Sequence, residues 1–494
     1  MGVTIEYFKE LHKYLMRVSK MAKSEIGQRP WRPSLLKRNY DAAKGGNLYG
    51  WWSGVNQTSD AELFGQLQTI RGRSRELSRN NDYMKKFIGL TKTNVIGNEG
   101  IRLQSLVMNN RKKPDRAARR EIEAAYKAWQ KKGVCDVTGK YSYHDVQNLA
   151  ISSAARDGEI LFRRIYSRDF EFGYKLQLIE ADHLDENYNE VLPNGNIIRM
   201  SVESDAFGAP VAYHLWPNHP GDFRFGASGN NQRVRVPAAE IIHLFVPVRV
   251  SQSRGVPWGH TAMTRMNQLD AYEEGELVAS RLAANKTGMY SSPDGANYRG
   301  ESKTSEGGPV QESEPGTFEV LPPGWEFQPI DWQHPKSQFG EFTKTILRGI
   351  AAGLGVSYNM LANDLEHVNF SSIRAGVLDE RDIWRMLQRW FIDHFSRIVF
   401  EDWLEAAILT GRVAGSISSI EKFKAGRFLG RGWAWVDPVK DVQSAIMEIE
   451  NGLNTSSEVV AKRSGDDLEN VYRRIEEEEK LRKEFGIKAA FEKD

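Results

Sequence analysis

A single cysteine stands in 494 residues. That residue, Cys135, excludes a disulfide framework and a multi-cysteine metal site, and it points to a reducing compartment. Lys131 and Lys132 precede it, but no nucleophile motif surrounds it, so the thiol reads as structural. Long apolar runs are missing too: none approaches the ~20 residues needed to span a bilayer, and no secretory leader is visible. Nor is there an excess of one charge. The chain carries 67 basic and 65 acidic residues for a net +2, whereas a protein that grips nucleic acid tightly is usually more basic.

Catalytic signatures are also lacking. There is no HExxH, CxxC or GxSxG. Gly295 to Gly300 has the glycine spacing of a phosphate loop, but Glu301 stands where its lysine belongs. His214, His219, His243 and His260 read as strand and turn residues with local partners rather than a metal set. Asp157-Gly158-Glu159 offers paired carboxylates. Strand lettering follows at once, so the plain reading is a turn entering a strand. The competing reading is a divalent-metal site in a nucleic-acid-processing enzyme. No cofactor is implied.

What is present is a helix, a loop and a second helix near the centre. Phe339, Phe342, Ile346, Ile350 and Leu354 recur at three- and four-residue steps and share one helical face. Gly353 and Gly355 are expected to stop that helix, and Asn369, Ser371 and Ser372 to cap the next. The second helix carries Val377, Trp384, Leu387, Phe391, Phe395 and Ile398 on its apolar side. So much specific lettering with so little chemistry suggests a mechanical part.

Elsewhere, helical pattern runs from about Asp60 to Thr93, Pro114 to Lys132, Tyr143 to Asp157 and Pro257 to Thr287. Glu159 to Tyr166, Tyr174 to Ile179, Ile197 to Val202, Pro210 to Trp216 and Glu240 to Val246 read as strands of an antiparallel sheet. Thr317 to Leu321 and Glu326 to Ile330 read as two short strands around Pro322-Pro323-Gly324. A Gly- and Trp-rich return (Gly426, Gly430, Trp433, Trp435) precedes helices from about Val439 to Asp494. At this length the chain divides into modules, and its class is α+β.

The lettering from Leu347 to Leu361, "LRGIAAGLGVSYNML", followed by Ser371-Ser-Ile-Arg-Ala375, resembles the lambda-type phage portal proteins. Three further blocks agree in order: Leu77-Ser-Arg-Asn-Asn81 with Val95-Ile-Gly97; Glu240 to Pro247 with Gln252-Ser-Arg-Gly255; and Val442 to Leu453 with Lys462-Arg-Ser-Gly-Asp466. The resemblance implies a subunit with an N-terminal arm (1–59), an α+β wing (60–256), a first stem helix (257–290) and a clip (291–334). It goes on to a second stem helix (335–356), a tunnel loop (357–370), a long wing helix with its return (371–436) and a helical crown (437–494). It also implies a ring, dodecameric if the family pattern holds, at one capsid vertex. Such a ring seeds head assembly with the major capsid protein, docks the terminase, conducts double-stranded DNA and later holds head-completion and tail proteins. No catalysis, cofactor or membrane is involved. A filament- or shell-forming protein without DNA contact is a further alternative.

Within that frame three features are expected to face the DNA channel. Asp270, Glu273, Glu274 and Glu276 form a carboxylate patch on the first stem helix; lining a ring, they would repel phosphate and lower friction. Lys344 and Arg348, four residues apart, are expected to pair with carboxylates of the neighbouring helix, the other use being contact with passing phosphates. Asn359, Asn363, Asp364, Glu366, His367 and Asn369 give the tunnel loop short polar groups able to touch a backbone without holding it.

Overall fold

The computed structural model describes residues 56–109, 111, 113–222, 232–284, 288–291, 302–303, 309–310, 326–329, 339–366, 370–415, 417–433, 438–464 and 467–485. The N-terminal 57 residues form a unit of their own, and everything below concerns the other, Thr58–Asp494.

The helical pattern expected from Asp60 to Thr93 is three helices: α1 (Ser59–Leu63), α2 (Leu67–Asn80) and α3 (Asp82–Thr91). The break at Asn81 has a clear cause. Its backbone is extended and its side chain accepts from the Met84 N–H at 2.8 Å, which satisfies one of the orphan donors that open α3. A π turn, Lys92–Ile96, ends this run at Gly97. After β1 (Arg102–Ser105) come α4 (Arg116–Trp129) and α5 (Tyr143–Asp157). α5 opens on a reciprocal Ser142–Asp145 capping box and closes on Gly158 at φ +90°.

The strands form two sheets where one was expected. β2 (Glu159–Tyr166) is central in a three-stranded antiparallel sheet, between β3 (Tyr174–Ile179) and a strand that follows later in the chain. β4 (Glu190–Val191), β5 (Ile197–Arg199), β6 (Val202–Ser204), β7 (Pro210–Leu215) and β8 (Val234–Pro237) make a five-stranded meander. The segment expected as one strand from Ile197 to Val202 is thus two. Met200 and Ser201 adopt positive φ and turn the chain back on itself. β9 (Ile241–Phe245) completes the first sheet. A small core of Leu161, Ile179, Val202, Tyr213, Leu215 and Ile241 joins the two sheets.

α6 (Met263–Ala284) begins six residues after Pro257, because turns occupy that stretch. Residues 288–290, expected to be helical, lie in β10 (Gly288–Ser291). β11 (Ser302–Lys303) and β12 (Pro309–Val310) form a short ladder, and β13 (Glu326–Pro329) pairs antiparallel with β10. The partner of Glu326–Pro329 is therefore the end of the outgoing chain; Thr317 to Leu321 lies outside the described residues. α7 (Phe339–Leu354), the single-turn α8 (Tyr358–Ala362) and the long α9 (Phe370–Phe391) follow. A π turn at Ile392–Ser396 carries α9 into α10 (Arg397–Leu409). After α11 (Ile420–Phe423), β14 (Gly426–Leu429) returns to pair with β1. α12 (Pro438–Glu450), α13 (Ser456–Ser464) and α14 (Leu468–Glu484) end the described chain.

One large core binds α3, α4, α5, the first sheet, the base of α6–α7 and α9–α10. Its centre is aromatic: Trp129, Tyr143, Tyr174, Phe162, Phe395 and Trp403 are fully or almost fully buried. The Trp129 indole N–H donates to the Tyr174 carbonyl at 2.9 Å, so its one polar atom is satisfied. Cys135 is buried too; burial first, then Asp136, pushes its thiol up to about 12, which makes it an inert core residue as expected.

Candidate functional site

α6 and α7 pack side by side. Met266 and Leu269 of α6 are buried, as are Leu347, Ile350, Ala351 and Leu354 of α7; farther along, Tyr272 stacks on Phe339 and meets Phe342 edge-on. Gly353 does not stop α7. It lies inside the helix, where an added Cβ would sit 3.1 Å from Thr261 Oγ1 and 3.3 Å from Ala262 Cβ. Glycine here lets the turn before α6 approach the helix backbone. The terminator is Gly355, at φ +68°.

The carboxylate patch on α6 divides. Asp270 is tied down: the Asn81 amide donates to both its oxygens at 2.8 and 2.9 Å, so one asparagine caps α3 and anchors α6. Glu273 is half-buried, and burial first, then Asp270 and Asp82, pushes its carboxyl above the ordinary range. The same three acids raise the neighbouring Tyr83 phenol after its own burial. Glu276 is half-buried near Tyr272, and only Glu274 of the four stands fully exposed. The four carboxylates form a partly anchored, negatively charged seam of which Glu274 is the exposed member.

Lys344 and Arg348 find partners, but not on α6. The Lys344 ammonium lies 3.7 Å from Asp364 and 3.5 Å from Glu366, both in the segment after α8. The Arg348 guanidinium sits over the Tyr358 ring at 5.6 Å. The expected pairing with the neighbouring helix is thus a pairing with the following loop. The Tyr358 hydroxyl donates to Asp364 at 2.7 Å; that bond first, then the Glu366 N–H, burial opposing and Lys344, leave the Asp364 carboxyl below its usual value. Burial and the same bond push the Tyr358 phenol up to about 12.

The loop itself is shorter than expected. Tyr358–Ala362 is helical, with Leu361 buried, and Asn363 ends it in the left-handed region at φ +54°. The Lys86 ammonium donates to Asn363 Oδ1 at 3.0 Å, and Asn359 is half-buried. Upstream, Ser357 donates from backbone and hydroxyl to the buried Glu380 carboxylate, which also accepts from the Trp384 indole. His367 and Asn369 lie outside the described residues.

The carboxylates of the enzyme reading are committed elsewhere. Asp157 takes Arg75 at 2.8 Å and Arg156 at 2.6 Å. Glu159 is fully buried and accepts from Arg254 (2.6 Å), Arg71 (2.7 Å), His243 (2.9 Å) and the Gly255 N–H (2.7 Å). Burial pushes its carboxyl up, but Arg254, His243 and Arg71 together outweigh it and hold the group well below the carboxylate range. A metal cation would have to displace two guanidinium groups. This node also explains the Gln252-Ser-Arg-Gly255 lettering. Gln252 accepts from the Val248 N–H, Ser253 donates to Asp60, Arg254 holds Glu159, and a side chain at position 255 would collide with the Gly158 carbonyl.

The histidines do not converge: His214 meets Glu203, His243 meets Glu159 and His260 meets the Pro257 carbonyl. Among the described residues one trio, Glu180, Asp182 and His219, has metal-ligand spacing. Asp182 is already paired with Arg71 and Arg75, whose charges oppose a cation there.

With this geometry in place, relatives are informative. The model of the lambda family of phage portal proteins matches residues 45–388, from the end of the N-terminal unit to the last turn of α9. A probable portal protein of Halomonas phage phiHAP-1 is 36% identical over 477 residues, 95% of this chain and 92% of that one. Portal protein B of Escherichia phage lambda is 25% identical over 492 residues, covering 91% of each chain. The portal protein of Escherichia phage N15 is 24% identical over 479 residues, 90% of this chain and 89% of its own. Among solved structures, the neck of a native gene transfer agent particle computed with C12 symmetry aligns over 79% of this chain and 93% of that chain, at 12% identity and a TM-score of 0.40.

Proposed function

From the premise that this chain belongs to the lambda family of phage portal proteins, we propose that it forms a closed ring at one capsid vertex and conducts double-stranded DNA through the bore. Twelve copies would follow the family pattern. In this reading α6 and α7 are the stem, the β10–β13 segment is the clip, the sheets with α9–α10 are the wing, and α12–α14 are the crown. The clip docks the terminase during packaging and head-completion and tail proteins afterwards, while the outer surface meets the major capsid protein.

The observation that carries this reading is the α7–α8 corner. It places two cations and a short polar loop together: Asp364 and Glu366 offset the Lys344 charge, and the Arg348 guanidinium lies over the Tyr358 ring. In a ring each such group is repeated in every subunit. Free lysines at a constriction would release counterions from DNA and bind it tightly. Lysines already paired with carboxylates leave a surface that a duplex can slide past.

Electron microscopy of the purified full-length chain tests the reading. Closed rings with an axial hole wide enough for a duplex support it; filaments, or dispersed monomers that cut DNA with magnesium, would overturn it.

A further inference from the structure

At the sheets and at the α7–α8 corner cations meet carboxylates; at the end of α4 they do not. Lys127 stands in the last turn of the helix, Lys131 and Lys132 follow just beyond it, and all three are exposed. Arg120, two turns before Lys127 on the same face, is exposed as well, whereas Arg116 at the helix start lies 3.7 Å from Glu469. The carboxylates of this helix are turned to the backbone instead. Asp115 caps the Ala118 N–H, Glu121 takes the Ala414 N–H and Glu123 takes the Ser105 N–H.

Two further lysines are brought to the same place by the fold. The Gly133 N–H donates to the Tyr141 carbonyl at 3.1 Å and closes a loop that returns exposed Lys140 to the end of α4. Lys175 arrives from β3. Its ammonium donates to the Gly133 and Asp136 carbonyls at 3.0 and 3.4 Å and lies 5.2 Å from the centre of the Phe170 ring. A helix C-terminus favours cations, which accounts for Lys127 and Lys131 but not for lysines delivered from other segments. Among the described residues no carboxylate lies within ion-pair distance of any of the five. The acids nearby are committed. Buried Asp136 accepts from the Thr138 hydroxyl and the Lys140 N–H, and Glu171 lies 3.9 Å from Arg412. Asp145 closes its capping box with Ser142, which holds its carboxyl below the ordinary value with a smaller part from Lys132.

We propose that this lysine cluster holds the sugar–phosphate backbone of duplex DNA, without sequence preference, at a site separate from the bore. Between Arg116 and Tyr141 the only large apolar side chain that is exposed is Val137. A protein partner draws most of its binding energy from buried aromatic and apolar anchors, whereas a polyanion needs only open charge. Lysine is a compact point charge without the bidentate fork of arginine, so it suits phosphates in any register. The cluster belongs to α4, the loop after it and β3, which pack on α5 and α10; none of its residues is on α6, α7 or α8. The two places differ in kind. Lys344 at the corner is offset by carboxylates, and here the charges are left open. The contact goes beyond the function proposed above and does not require a ring.

The test uses full-length protein, assembled before DNA is added, and a relaxed, covalently closed duplex circle, which cannot thread a closed ring. Gel retardation of the circle is followed between about 50 and about 200 mM salt. Wild-type protein should bind it, with an affinity that falls as salt rises. Lys131→Gln/Lys132→Gln/Lys140→Gln should weaken binding about tenfold or more at low salt. It should also make the slope of log K against log salt shallower by roughly 3 for each subunit engaged. Arginine at the same three positions should preserve both affinity and slope. All three side chains are exposed, so circular dichroism and ring formation should not change. A wild-type protein that leaves the circle unbound at low salt, or a glutamine variant with wild-type affinity and slope, would overturn the site and leave the bore reading standing. So would a glutamine variant whose rings fall apart, since the cluster would then be a contact with an acidic face of a neighbouring copy. A chain that forms no ring, yet loses the circle in the glutamine variant, would support the site and remove the bore reading.

Discussion

A carboxylate with no exposed surface is tolerated only when its charge is matched, and Glu159 is matched by two arginines and a histidine. Removing one partner leaves the others uncompensated in a buried site. Arg254→Met should therefore lower stability by roughly 3–5 kcal/mol, read as a shift in the urea midpoint. A loss under ~1 kcal/mol would mean water reaches the node. Glu203 gives a pH signature of the same kind. The Arg235 hydrogen bond, against burial and with help from Asn196 and His214, holds its carboxyl at about 2, below the ordinary value of 4.5. The folded form then binds fewer protons than the unfolded one. Its contribution is complete above pH about 4.5 and is lost as pH falls toward about 2. Glu203→Gln should flatten the acid-side fall in stability across that window, and an unchanged slope would assign the fall to other groups.

At the scale of elements, β2, β3 and α5 were legible because their signals are local. β-branched and aromatic lettering marks the strands, and the helix expected from Tyr143 to Asp157 is bounded by Ser142 and Gly158. The break at Asn81 was hidden because the apolar pattern runs through it and only the cap interrupts the backbone. The β1–β14 and β10–β13 pairings join segments far apart in sequence, which no local period encodes. Of the residues expected at the channel, the pairs that the structure forms were not legible in the sequence. Lys344 meets Asp364 and Glu366 because α8 folds the loop back over α7, a consequence of burying Leu361. Two predictions belong here. Gly355→Ala must hold a Cβ at φ +68° and should cost about 1–2 kcal/mol, visible in the thermal midpoint. Asp364→Lys with Glu366→Lys leaves Lys344 unpaired and adds two cations per subunit. Packaging should slow, most at low salt, with ring formation unchanged. Full-length packaging at the normal rate in low salt would take this loop out of the channel.

For the whole molecule, the near balance of charge is explained by pairing rather than by scarcity. Arginines and lysines are abundant, and at the sheets and the α7–α8 corner they are spent on carboxylates of the same chain. Magnesium should therefore elicit neither ATP hydrolysis nor DNA cleavage from the purified chain, and turnover abolished by Asp157→Asn would restore the enzyme reading. In the function proposed above, the α7–α8 corner lines a bore through which DNA slides. A cryo-electron-microscopy reconstruction of the assembled ring tests it most directly. The expected result is a closed ring with Lys344, Asn359, Asn363 and Asp364 facing the axis at its narrowest point and Glu274 of α6 lining the wall. A ring in which α6 and α7 lie on the periphery, with another element at the constriction, would contradict it.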